Sequence, residues 1–236
     1  MGRKWQNIKY GKAANDAARA KIYAKFGKEI YMVAKPNPDP DGNLALRAII
    51  EKAKTYNVKQ DIIDRAINKA KSGVDESYDH NRYEGYGPNG SALIVDCLTD
   101  NANRTAAEVK TAFGKNGGNL GVPGSVSFMF TSAAVFGIEV LDEEKVLDAM
   151  IENDADISDI EVEDDVMMIY GSSEDHHKME TALKSLGVSE FKVNEISMIP
   201  NDTITLEGDD LARFEKLIDV LEDLDDVQEV YHNVEL

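Results

Sequence analysis

Residues 82–130 read RYEGYGPNGSALIVDCLTDNANRTAAEVKTAFGKNGGNLGVPGSVSFMF, and the fold turns on how this stretch is completed. Residues 91–98 run apolar through Ala92, Leu93, Ile94, Val95 and Leu98, the pattern of a half- to fully buried strand. Asp100 or Asn101 can then cap a helix that reaches about residue 115, with Ala106, Val109, Ala112 and Phe113 inward. Asn116-Gly117-Gly118-Asn119 stops that helix, and residues 125–130 are expected to form a second strand. A lone strand–helix–strand lacks the partner it needs to close a core.

The partner lies at the far end of the chain. Residues 203–206, 209–224 and 227–232 read as strand, helix and strand, with Leu211, Phe214, Leu217, Ile218 and Leu221 on the inner helical face. Between the two halves sits a unit complete in itself. It has strand 134–140, helix 142–152, strands 157–163 and 166–170 around an Asp-Asp turn, helix 173–186 and strand 191–198. That order, βαββαβ, is the ferredoxin-like motif. Pairing the two outer halves makes a second sheet of the same kind. The expectation is a discontinuous α/β domain, residues 82–132 plus 201–236, with an acidic ferredoxin-like domain, 133–200, inserted in it. Leu183-x-x-Leu186 before Val188-x-Glu190-Phe191 echoes Leu221-x-x-Leu224 before Val227-x-Glu229-Val230, which fits two related folds.

Ahead of these, residues 13–35 are helical in period, with Ile22, Phe26, Ile30 and Val33 on one stripe and Lys21, Lys25, Lys28 and Lys35 on the next. Three prolines between residues 36 and 40 end that helix. Helices over 44–56, capped by Asn43, and 59–71, stopped at Gly73, complete a three-helix domain over residues 1–78. Residues 74–81 read as a polar linker. The fold class is therefore α+β: an N-terminal three-helix domain plus two ferredoxin-like α/β domains, one inserted in the other.

Charge divides the chain at the same place. Residues 1–74 hold 16 Lys+Arg against 7 Asp+Glu, a net of +9, whereas residues 75–236 hold 10 against 37, a net of −27. A basic module joined to an acidic body points to a polyanionic partner for the first and a protein partner for the second. The first dozen residues carry four cations and no acid around Trp5, and an aromatic ring can stack on a base while cations meet phosphates. Nucleic-acid contacts are assigned to Arg3, Lys4, Trp5, Lys9 and Lys12 of this arm and to Arg19, Lys21, Lys25 and Lys28 of the first helix. Arg104 and Lys115 stand as a second contact. The competing explanation is ordinary: charged helix faces are usually just solvated.

Catalytic sets do not emerge. Gly85-Tyr86-Gly87-Pro88-Asn89-Gly90 has the G-x-G-x-x-G spacing but precedes a strand rather than opening a helix, and Pro88 removes an amide. Cys97 sits in a strand away from all four histidines, His80, His176, His177 and His232, so core packing explains it best. Glu161, Glu163, Asp164 and Asp165 lack EF-hand spacing and fit a hairpin turn. No cofactor, no metal and no enzymatic activity are expected. The single cysteine fits a reducing compartment, and no apolar run approaches the roughly 18–20 residues of a membrane span. A cytoplasmic protein without a membrane partner is expected.

Several motifs resemble the YebC/PmpR family. They are Lys4-Trp5-x-Asn7-Ile8-Lys9, Ala13-Ala14-x-Asp16-Ala17, Arg82-Tyr83-Glu84-Gly85-Tyr86-Gly87-Pro88-x-Gly90, Leu98-Thr99-Asp100-Asn101-x-Asn103-Arg104-Thr105 and Gly117-Gly118-Asn119-Leu120-Gly121-x-x-Gly124-Ser125-Val126. The start, Met1-Gly2-Arg3-Lys4-Trp5, departs from the common Ala-Gly-His-Ser-Lys-Trp and is similar to the YeeI-type branch of Gram-positive bacteria. The resemblance implies three domains, no established catalytic residues and a cytoplasmic regulator of gene expression. For some members the implied role is DNA-binding transcriptional regulation. For others, organellar relatives included, it is translation at the ribosome through proline-rich stretches, with rRNA or tRNA as the partner. The DNA-binding regulator is the first expectation, the ribosome-associated factor the alternative, and an enzyme on a ferredoxin-like scaffold a remote third.

Overall fold

The computed structural model describes residues 16–73, 76–163 and 165–236. Among the described residues three helices come first: α1 (Asp16–Ala34), α2 (Leu44–Thr55) and α3 (Gln60–Lys71). Their apolar stripes meet in one core of Phe26, Ile30, Tyr31, Leu46, Ile49 and Ile63. Asn43 fastens two of them together. Its Oδ1 accepts the Leu46 N–H at 3.0 Å, capping α2, and its Nδ2 donates to the Val33 carbonyl at 2.8 Å near the end of α1.

The α/β part follows as β1 (Asp79–Tyr86), β2 (Ala92–Thr99), α4 (Ala102–Lys115) and the short β3 (Asn119–Leu120). Then come β4 (Phe130–Glu139), α5 (Glu143–Glu152), β5 (Ile157–Glu163), β6 (Val166–Ser172), α6 (His176–Ser185) and β7 (Val193–Pro200). The chain ends with β8 (Ile204–Thr205), α7 (Gly208–Glu222), β9 (Val227–His232) and β10 (Val234–Glu235).

Two four-stranded sheets result, with orders β3-β1-β2-β9 and β5-β6-β4-β7. In the second every pairing is antiparallel, and the βαββαβ order gives the ferredoxin-like arrangement. The first is completed from both sides of it: β2 takes β1 on one edge and β9 on the other, also antiparallel. The pleat sorts the side chains of β2. Leu93, Val95 and Cys97 face α4 and α7, where they meet Val109, Phe113, Phe214, Leu217 and Leu221. Ala92 and Ile94 face the other way, onto Val126 and Phe130. The α+β class, with one α/β unit inserted in the other, is what the sequence led to expect.

The strands of the split unit differ from expectation in three places. Residues 79–81 belong to β1, not to a linker, and the glycine-bearing run through Tyr86 is itself a strand. Residues 125–129 form no strand; a 3-10 turn over Ser127–Met129 leads into β4, which starts at Phe130 and runs unbroken to Glu139. The cause is Glu84, whose buried carboxylate accepts the N–H groups of Gly124, Val126 and Ser127, each at 2.8 Å, so these amides are not free for a ladder. Residues 204–205 pair with β10 in a separate parallel ribbon rather than joining the main sheet.

Candidate nucleic-acid interface

Gly85 and Gly118 allow close approach of the chain. A Cβ at Gly85 would stand 2.7 Å from a Phe113 ring carbon, and one at Gly118 would stand 2.6 Å from the Tyr86 carbonyl oxygen. Both positions press the loop after α4 against β1.

Spacing brings Lys21, Lys25 and Lys28 to one side of α1, as the sequence predicts, but that side meets the C-terminal end of α7. Lys21 Nζ donates to the Asp223 carbonyl at 3.2 Å and also pairs with its carboxylate. Lys25 Nζ donates to the Glu222 carbonyl at 3.2 Å, and Lys28 Nζ to the Asp225 carbonyl at 3.1 Å. The last carbonyls of a helix lack intrahelical partners and carry its negative dipole end, so a row of ammonium groups satisfies both needs. Burial lowers the Lys25 pKa, with Glu229 and Glu222 opposing, and burial raises that of Glu222. These lysines are therefore shared with an acidic segment of the same chain, a relationship that composition could not reveal. Arg19 is exposed on α1. Arg3, Lys4, Trp5, Lys9 and Lys12 lie outside the described residues.

Asp226 gathers three elements at this seam. Its carboxylate accepts from Thr99 Oγ1 at 3.0 Å, Thr105 Oγ1 at 2.9 Å and Arg104 Nη2 at 2.5 Å, and lies 3.3 Å from Lys28 Nζ. Burial alone would raise its pKa; the bonds from Arg104, Thr105 and Thr99 outweigh that and hold it below the ordinary carboxylate range. Arg104, one of the two second-contact residues, spends its guanidinium on Asp226 and Asp100. This explains the Asn101-x-Asn103-Arg104-Thr105 motif structurally: Asn101 caps α4 by accepting the Arg104 N–H at 3.1 Å, and Arg104 and Thr105 hold Asp226. Lys115, the other, stands exposed at the end of α4, apart from Arg104.

A second buried junction escaped sequence reading. Lys52 of α2 lies 2.6 Å from Glu229 of β9 and 3.6 Å from Glu195 of β7, while the Tyr56 hydroxyl donates to Glu195 at 3.4 Å. One ammonium group thus meets the helical unit, the split unit and the inserted unit at once. Burial would lower the Lys52 pKa, but Glu229 and Glu195 raise it well above the ordinary lysine value. The signal in the sequence was a lysine next to Ala53 of the buried stripe of α2.

Cys97 is buried, and burial pushes its thiol up to about 12. His176 is buried and bonded to Asn194 at 2.8 Å, and burial lowers the His232 pKa to about 4. Among the described residues no group of three or more His, Cys, Asp and Glu is placed to hold a metal, and no helix is long and apolar enough to cross a membrane.

These features define a class: an α+β protein with a cation-rich helical unit docked on an acidic α/β body built of one unit threaded through another. The chain belongs to the TACO1/YebC family. Residues 3–73 match the model of the TACO1/YebC protein N-terminal domain, and residues 78–234 that of the TACO1/YebC second and third domain. Among solved structures it is similar to a conserved hypothetical protein, Aq1575, from Aquifex aeolicus. The two are 36% identical, the match covers 93% of this chain and 91% of that one, and the TM-score is 0.79.

Proposed function

We propose that this chain is a non-catalytic, cytoplasmic regulator of gene expression that holds folded RNA at the ribosome, gripping phosphate and shape rather than reading base sequence. Family membership supports a nucleic-acid-binding regulator at the coarse level. The observation that carries the finer reading is the outward face of α3. Arg65 is paired with Asp61 at 2.6 Å, Gln60 with Asp64 at 2.9 Å and Lys69 with Glu76 at 2.6 Å. A helix that enters the major groove leads with its N-terminal residues, and two carboxylates there would face phosphate. Recognition through the basic arm and through exposed cations suits RNA, whose helices are held by shape and phosphate.

A sequence-specific DNA regulator is the second reading. It is favoured by the four-residue connection, residues 56–59, between α2 and α3, where Asn57 takes a φ of 56°. Such a short joint is found in helix–turn–helix pairs.

Crosslinking in cells followed by sequencing of the bound nucleic acid separates the two. Recovery of rRNA or tRNA supports the first reading; enrichment of discrete genomic sites transfers the protein to the second. In vitro, neutralisation of about six phosphates gives a log K against log salt slope near −5. Removing residues 1–12 is expected to weaken that binding and leave the fold intact, and full affinity without them would take the arm out of the site.

A further inference from the structure

The cations left unpaired by the fold lie elsewhere than on α1. Residues 75–236 hold ten Lys+Arg among 37 Asp+Glu, so a cation there has abundant acids to pair with, and Arg82, Arg104, Lys178 and Lys184 all do. Five others are exposed and have no carboxylate partner among the described residues: Lys110 and Lys145, which do not line the groove between α4 and α7, and Lys115, Arg213 and Lys216. The last three cluster. Lys115 and Lys216, against one carboxylate, Glu108, line that groove of about 730 Å³, over a floor that includes Ala112 and Val220. Arg213 lies beside it, its Cδ 3.7 Å from where a Cβ on Gly117 would stand, just past the end of α4.

We propose that this groove is a second seat for the phosphate backbone of the nucleic acid. The inference rests on the polyanion-binding function proposed above. Two arguments name the occupant. Charge complementarity is the first: three unpaired cations converge in a body that otherwise repels polyanions. Continuity is the second. The groove lining includes Leu224, in the segment whose Glu222, Asp223 and Asp225 hold the lysines of α1. A backbone that displaces this acidic segment from α1 runs on into the groove, so the arm, α1 and the α4–α7 face form one track. The few phosphates at the groove are held by point charges, which makes the contact independent of sequence.

The test uses the full chain and a labelled 30-nucleotide RNA hairpin of arbitrary sequence, titrated over a salt series. The variants are Lys115→Gln/Arg213→Gln/Lys216→Gln and, as a control, Lys145→Gln, an exposed lysine of α5 with no partner among the described residues. The triple variant is expected to flatten the salt slope by about 2 to 3 and to weaken binding roughly tenfold near 0.1 M salt, with Lys145→Gln unchanged. An unchanged slope in the triple variant, beside a wild type that binds, overturns the groove and leaves the proposed function standing. Equal weakening per charge in Lys145→Gln also overturns it, by reducing the effect to net charge. Loss of poly-glutamate binding without loss of RNA binding would reassign the groove to an acidic protein. A wild type that binds no RNA at any salt removes both proposals together.

Discussion

Lys28 and Asp226 are 198 residues apart in sequence, and their side chains meet at 3.3 Å. The contact joins α1 to the loop before β9, and through Thr99, Thr105 and Arg104 it reaches β2 and α4 as well. The basic helix is thereby moored to the acidic body at a point where a polyanion would compete for the same ammonium groups.

Under the proposed function, the Asp223 carboxylate competes with RNA for Lys21. Asp223→Asn removes the side-chain partner of Lys21 while keeping its carbonyl. Both groups are largely exposed, so the pair contributes about 0.2–1 kcal/mol. Affinity for an RNA hairpin, read by fluorescence anisotropy at low salt, is expected to rise up to about fivefold. The gain should vanish at 0.5 M salt as screening shortens to a few ångströms.

Lys52 is a different case, because its partners are buried with it. Lys52→Ala leaves Glu195 and Glu229 without their cation and is expected to cost about 3–5 kcal/mol in urea unfolding. Adding Glu229→Gln to it should restore part of that loss. A double variant as unstable as the sum of its parts would show that the two side chains are not coupled.

Glu84 ties acid stability to the loop it holds. Burial would raise its pKa, but the amides of Val126, Gly124 and Ser127 hold it below the ordinary value. With a depressed folded pKa, the unfolded state binds more protons in the acid window. The stabilisation is present above the unfolded value of about 4.3 and is lost as pH falls through the folded pKa. Glu84→Gln is expected to cost about 2–4 kcal/mol at neutral pH and to flatten the acid limb of the stability profile. Urea midpoints between pH 2.5 and 7 measure both.

Gly118→Ala tests close approach alone. Its Cβ would meet the Tyr86 carbonyl at 2.6 Å and the Gly87 Cα at 3.1 Å, both backbone atoms that cannot swing aside. A loss of about 1–3 kcal/mol in thermal or urea unfolding is expected.

Where side-chain period sets the structure, the sequence was legible. Residues 227–232 are read as a strand and are β9. The inserted unit follows its βαββαβ order, and Asn43 and Asn101 cap the helices they precede. Elements fixed by distant partners were not legible. Asp79–Tyr86 has little apolar alternation, and pairing with β2 and β3 and the packing of Gly85 on Phe113 make it a strand. Residues 125–130 have strand propensity, but a carboxylate forty residues earlier claims their amides. At the interface, the lysine stripe of α1 stood out in the sequence. That it faces the end of α7 is a fact about tertiary contact, which local pattern does not encode.

The seam at β9 also has a bearing on the order of synthesis. As the chain leaves the ribosome, residues 130–200 bring out every strand of their own sheet together, whereas β2 must wait for residues 227–232. Until then one edge of β2 is bare, and Ala92 lacks the Asn233 side chain that accepts its N–H at 2.8 Å. The inserted unit is free to fold while the unit that encloses it is still open. The mooring of α1 waits almost as long, since Asp223, Asp225 and Asp226 emerge just ahead of β9. A nascent chain therefore shows the lysines of α1 uncovered before the finished protein covers them.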